Sequence, residues 1–270
     1  MYTAQQLTGQ LEEMGIDPKG TLLVHSSMKA VGEVDGRADT VLDVLCAYMR
    51  EGLLVLPTHT WKQMDSDYTT FEVAKEPSCV GVLSNLFRQR PGVYRSYHPT
   101  HSVAAIGKEA AAFTAGEQLR HTPCPRKGCW GKLYDRKASI LFIGCRLTCN
   151  TFLHGVEEWC RIPNRLAKTA QDFFVIAPSG EKYCVPQYRH FTDNPKVEPS
   201  AHYDKMERIF AETGAIRFGK FGDASCILGD AVQMADITAA FLRRDPHLFD
   251  DDSPVLPWED WESQVRPGAL

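Results

Sequence analysis

The sequence predicts an α/β fold whose sheet is covered by helices on both faces, and three observations lead to it. Short apolar runs rich in strand formers alternate with longer stretches whose apolar residues recur at helical spacing. The first two runs stop at hydroxyl and imidazole side chains, His25-Ser26-Ser27 and Pro57-Thr58-His59-Thr60, as strands do where a sheet opens onto a ligand. A chain of 270 residues, 43% of them hydrophobic, can bury the core this needs, and one domain over residues 1–270 is expected.

From Thr3 to Met14 the chain places Leu7, Leu11 and Met14 on one helix face, and Asp17-Pro18-Lys19-Gly20 turns it. Thr21 to Val24 then reads as a buried strand. Arg37 to Arg50 reads as a helix through Val41, Leu42, Leu45 and Tyr48; Gly52 ends it and Leu53 to Leu56 forms the next strand. Val103 to Gly107 and Ser139 to Gly144 are further strands, and Thr151 to Cys160 a helix beginning near Asn150. Phe173 to Ala177 and Lys182 to Val185, joined by Pro178-Ser179-Gly180, predict a hairpin. His190 to His202 is polar and proline-containing, a surface loop or lid; Tyr203 to Glu212 and Ala231 to Arg243 read as helices. Beyond Arg244 the chain is acidic and tryptophan-rich, without periodicity.

Lys plus Arg number 30 against 34 Asp plus Glu, and a net charge of −4 offers no basic field to nucleic acid. The N-terminus carries acidic residues in an amphipathic pattern rather than a signal peptide. No apolar run approaches the roughly 20 residues of a membrane helix. A soluble, cytoplasmic protein without a membrane partner is expected. Nine cysteines scattered through apolar contexts suit reduced thiols. Cys124, Cys129, Cys145, Cys149 and Cys160 lack the paired CxxC spacing of structural zinc sites, so no metal is expected. The dinucleotide fingerprint, the Walker loop and the GxSxG elbow are all missing.

The stretch Cys149-Asn150-Thr151-Phe152-Leu153-His154-Gly155-Val156-Glu157 is the most informative. His154 and Glu157, three apart on a helix, emerge on one face, so the carboxylate can fix the imidazole's tautomer and raise its basicity. Such pairs are also common on solvated helix faces. Ser96 to Ser102, with His98 and His101, gathers neutral donors suited to a phosphate or amide, or equally to ordinary turn hydrogen bonds. Val34-Asp35-Gly36 precedes the helix at Arg37, where free N–H groups can meet a pyrophosphate.

Five segments, LLVHSSMKAVGEVDGRADTV, VLPTHTW, HPTHSVAAIG, TPC followed by WGKL, and NTFLHGVEEW, resemble in order and separation the signature blocks of the aminoglycoside 3-N-acetyltransferase family. They extend from about Leu22 to about Asn164. The resemblance implies a three-layer α/β/α sandwich of the antibiotic N-acetyltransferase type, distinct from the GNAT fold. It also implies acetyl-coenzyme A as co-substrate, no metal, and direct transfer to the amine of a small molecule, the 3-amino group of an aminoglycoside. His154 falls on the family's base, Thr151 near the thioester carbonyl and Glu157 on the HxxE carboxylate. Ser26, Ser27, Val31, Gly32, Val34, Asp35, Gly36, Thr58, His98 and Ser102 fall in the blocks that receive coenzyme A. Arg37 replaces the family's second glycine, and Pro125-Arg126-Lys127-Gly128-Cys129 replaces a glycine, serine and proline run. The further carboxylate that the family places after the hairpin has no direct match; Asp193 is the substitute in that vicinity.

Three other readings remain at this point: an acetyltransferase of another amine, as in natural-product biosynthesis; a silent coenzyme A-binding homologue; and a hydrolase with Cys124 or Ser102 as nucleophile. A polycationic acceptor would call on Glu157, Glu158, Asp65, Asp67 and Asp193, an anionic one on Arg161, Arg165 and Lys168. A homodimer is compatible with the sequence.

Overall fold

The structure is a computed structural model and describes residues 1–268 and 270. Thr3 caps the first helix, α1 (Ala4–Glu13), through a reciprocal bond with Gln6. There follow β1 (Thr21–Ser26), α2 (Arg37–Tyr48), β2 (Leu53–Pro57), β3 (Thr70–Glu72), α3 (Val82–Phe87), β4 (Tyr94–Arg95), β5 (Val103–Gly107) and α4 (Ala110–Thr114). The second half contains α5 (Cys129–Asp135), β6 (Ser139–Ile143), α6 (Thr151–Trp159), β7 (Gln171–Ile176), β8 (Lys182–Gln187), α7 (Glu207–Glu212), β9 (Ile216–Phe221), β10 (Ala224–Asp230) and α8 (Ala231–Arg244).

Seven strands form one sheet in the order β4-β5-β2-β1-β6-β10-β9. Its centre, β2-β1-β6, is parallel, and both flanks are antiparallel, so the sheet is mixed. The period-two alternation of strand side chains divides the core into two layers. Leu22, Val24, Leu54, Leu56, Leu141 and Ile143 pack with Leu7, Leu11, Val41, Leu42, Leu45, Leu83 and Phe87 from α1, α2 and α3. Leu23, Leu53, Val55, Ile140 and Phe142 face the other way, onto Trp130, Phe152, Leu153, Val156, Phe210 and Leu242 from α5, α6, α7 and α8. This is the α/β/α sandwich expected. A smaller sheet, β3-β7-β8, buries Phe71, Phe173, Val175 and Val185 as a cluster of its own.

Two departures from the sequence reading bear on function. β1 runs two residues further than its apolar run, so His25 lies within the strand, stacked on Phe142 at 5.1 Å between centroids. Tyr203 belongs to a 3-10 segment, Pro199–Met206, rather than to the helix that follows. Because β1, β2 and β6 are parallel, their carboxyl ends share one edge, and β5, running the other way, begins there. No helix among the described residues is long and apolar enough to cross a membrane.

Candidate active site

At that edge lies a cavity of about 870 Å³. Its walls come from Val24 to Lys29 at the end of β1 and beyond it, Pro57 at the end of β2 and His59 after it, Thr100 and His101 before β5, and Cys145, Thr148 and Cys149 after β6. Thr151 and His154 enter from α6, and the loop from Arg189 to Thr192 with Val197 to Ser200 closes one side.

α6 buries Phe152, Leu153 and Val156 in the core, which fixes its rotation and turns Thr151 and His154 to the cavity. Glu157, one turn along, is buried. Its Oε2 lies 3.3 Å from His154 Nδ1, and Tyr203 joins the pair, with its oxygen 2.7 Å from Nδ1 and 2.5 Å from Oε2. Arg165 donates to the other carboxylate oxygen at 2.5 Å and to Asp250 at 2.6 Å. Burial alone would push the Glu157 carboxyl up. The hydrogen bond and charge of His154, with Arg165 and the Tyr203 hydroxyl, outweigh it and hold the group below the usual carboxylate range.

An ionised Glu157 can only accept, so the single Tyr203 proton goes to it. The Tyr203 oxygen then accepts from His154 Nδ1–H, so that in the neutral imidazole the lone pair sits on Nε2. The His154 side chain remains 20% exposed, against 1% for Glu157, so the free nitrogen belongs to the accessible partner. That is the tautomer a base at Nε2 requires.

Thr151 Oγ1 shares a 3.1 Å hydrogen bond with His59 Nε2. The rings of His59, His101, His190 and His154 form a chain, with successive centroids 4.9, 4.9 and 4.5 Å apart. Burial, then the charge of neighbouring imidazoles, holds His59, His101 and His190 well below the ordinary histidine value, so these three stay neutral. Glu158, beside Glu157, is pushed up to about 7 by burial. Cys149 is held down to about 7 by its hydrogen bond with the Cys145 thiol, which is pushed up in turn.

Of the ten coenzyme A candidates, Ser26 and Ser27 line the cavity and the other eight stand elsewhere. Val31 is buried in the core beneath α1 and α2. Gly32, with φ +81°, leaves room for Asp223, whose carboxylate any Cβ at this position would collide with. Gly36 likewise makes room for the Thr40 hydroxyl. Val34 bridges to Tyr2, and Asp35 N–H donates to Tyr2 O. Thr58 and Ser102 share a buried hydrogen bond behind the strand ends, and Arg95 donates to both. His98 is buried, its Nε2 bonded to Thr122 O and its Nδ1 accepting the N–H groups of Thr100 and His101. Asp193 lies 3.7 Å from Lys168 and, unlike Thr192 beside it, does not line the cavity.

Glu157, Glu158, Asp65, Asp67 and Asp193 are all outside the lining, and so are Arg161, Arg165 and Lys168. Among the described residues, the lining carries one carboxylate, Glu198, against Lys29 and Arg189. Sequence reasoning missed Tyr203 and Arg165 as partners of Glu157, and missed the imidazole chain, although His25-Ser26-Ser27 and Thr58-His59 marked the strand ends.

A family model described as aminoglycoside 3-N-acetyltransferase matches residues 23–243. Aminoglycoside N(3)-acetyltransferase III of Acinetobacter baumannii is 25% identical, over 95% of this chain and 96% of that one. The SPbeta prophage-derived aminoglycoside N(3')-acetyltransferase-like protein YokD of Bacillus subtilis (strain 168) is 26% identical, over 90% and 93%. Among solved structures, a mutant of aminoglycoside acetyltransferase AAC(3)-IVa in complex with a gentamicin superposes with a TM-score of 0.78 at 25% identity, covering 92% of this chain and 91% of that one. AAC-IIIb with CoASH gives a TM-score of 0.78 at 21% identity, over 94% and 99%, a likeness of fold. The chain belongs to the aminoglycoside 3-N-acetyltransferase family.

Proposed function

We propose that the protein transfers the acetyl group of acetyl-coenzyme A directly to an amine, with His154 as general base. The observation that carries this is the His154-Tyr203-Glu157 arrangement, which engages Nδ1 and leaves Nε2 of a cavity-lining imidazole to act as the base. The lining fits coenzyme A: Ser26, Ser27 and Ser200 offer hydroxyls, Lys29 a cation for phosphate, and Val24, Met28, Pro57 and Leu83 an apolar wall for a pantetheine arm.

Acetyl-coenzyme A supplies an acetyl group activated as a thioester. His154 Nε2 accepts the proton that an amine must lose as its nitrogen bonds to the carbonyl carbon, which contributes about 10²- to 10⁴-fold. Glu157, 3.3 Å away, stabilises the imidazolium, and Arg165 and Asp250 keep the carboxylate in place. The Thr151 hydroxyl, oriented by His59, donates to the oxygen on which negative charge develops. Direct transfer is favoured over a hydrolase mechanism because Cys124 is a thiol pushed well up by burial and neighbouring carboxylates, and Ser102 is tied to Thr58 and Arg95.

The acceptor taken first is the 3-amino group of an aminoglycoside, on the family and on the gentamicin complex of a relative. The lining's one carboxylate against two cations favours a second reading, an amine with fewer positive charges. Release of free thiol from acetyl-coenzyme A is measured across aminoglycosides, neutral amino sugars and amines bearing a carboxylate or phosphate. Acetylated amine in step with thiol is the expected result. Thiol release without an acetylated amine, or none with any acceptor, would overturn the reading.

A further inference from the structure

Beside the proposed base, three side chains of different donor chemistry converge. The ligand atoms of Cys124, Glu158 and His190 all lie within 4.8 Å of one another. His190 Nε2 is 3.1 Å from Glu158 Oε1, and the same oxygen accepts the Cys124 N–H at 2.8 Å. Cys124 Sγ has a long 3.7 Å contact with the Thr151 carbonyl. Cys124 is fully buried and the Glu158 side chain is 5% exposed, while His190 borders the cavity. Glu157 has Arg165 as a cation partner; among the described residues, the ion-pair partner of Glu158 is an imidazole.

We propose that Cys124, Glu158 and His190 bind a thiophilic divalent cation, Zn²⁺ before others, and that its binding silences the neighbouring base. One thiolate, one imidazole and one carboxylate are ligands zinc takes readily, while magnesium and calcium prefer oxygen alone. Ligand atoms of a tetrahedral zinc shell stand roughly 3.3–3.5 Å apart. The His190 and Glu158 atoms are already that close, and side-chain rotation brings the thiol in. Of the three, His190 lines the cavity and so gives the ion its way in. On binding, the Cys124 proton leaves to solvent as the sulfur–metal bond forms, and the His190 proton moves to Nδ1 so that Nε2 can ligate. The His190 and His154 ring centroids are 4.5 Å apart, so a dication there disfavours the imidazolium that acetyl transfer needs. Metal capture itself does not depend on the acetyl-transfer reading.

The test uses the full chain, stripped with chelator, loaded with ZnCl₂ and desalted. One zinc per chain is expected to remain, and Cys124→Ala and His190→Ala each bring retention to background. Cys149→Ser, which removes an exposed thiol outside the trio, keeps the ion. With CoCl₂, a thiolate-to-cobalt charge-transfer band is expected in the parent and absent from Cys124→Ala; MgCl₂ is not retained. If Cys124→Ala unfolds by circular dichroism, His190→Ala and the parent's cobalt band decide. No retained zinc, retention unchanged in both variants, or cobalt bound without the band would overturn the proposal.

Discussion

Tyr203→Phe removes one oxygen from the centre of the relay and leaves its surroundings in place. In the parent that oxygen lies 2.7 Å from His154 Nδ1 and 2.5 Å from Glu157 Oε2, while the two termini are 3.3 Å apart. Without it, Glu157 still faces the imidazole, and the gross attraction at 3.3 Å, about 5 kcal/mol at an effective dielectric of about 20, survives. What disappears is a charge-assisted hydrogen bond, a net contribution of about 1.5–3 kcal/mol. At about 1.4 kcal/mol per tenfold, kcat falls about 10- to 100-fold. The KM for acetyl-coenzyme A stays within about twofold, because in the proposed mechanism the hydroxyl acts on proton transfer rather than on binding. Thiol release at saturating acceptor gives both constants. An unchanged kcat, or a loss confined to KM, would refute the relay.

Thr151→Val keeps the shape of the helix start and removes the proposed donor, so kcat drops by about 10²-fold; a variant as active as the parent would place the developing charge elsewhere. Cys149→Ser keeps turnover within a few-fold, since direct transfer needs no enzyme nucleophile, and loss of activity together with a parent that carries acetyl by mass spectrometry would point to a covalent route. His25, held by burial at about 3, must stay neutral to fold, whereas the unfolded chain protonates it near 6.5. The unfolded state therefore binds more protons as pH falls below about 6.5, and the protein loses about 2 kcal/mol through this residue by pH 5. Thermal melts of His25→Phe between pH 8 and pH 5 should lose that much less stability than the parent; parallel curves would remove His25 from the acid response.

The sandwich was legible because its two layers are written in local patterns. Thr21 to Val24 and Leu53 to Leu56 are continuous apolar runs, as strands buried on both faces must be. The hairpin of β9 and β10 was not, since Arg217, Gly219, Lys220 and Gly229 interrupt any strand pattern, and its place in the sheet is set by β6, distant in sequence. At the site, His154 and Glu157 could be read from their spacing on α6. Tyr203 could not, being 49 residues beyond His154 and brought back by the 3-10 segment Pro199–Met206. His98 and Gly32 show the opposite effect. Each sits in a block that resembles a cofactor loop, while the fold employs them as an internal hydrogen-bond hub and as space for Asp223.

Proton acceptance by His154 is tested most directly by the turnover of His154→Ala, with coenzyme A affinity determined on the same protein by calorimetry. Acetyl transfer at least about 100-fold slower with nearly unchanged coenzyme A binding is the predicted result. Turnover equal to the parent's, at equal affinity, would contradict it.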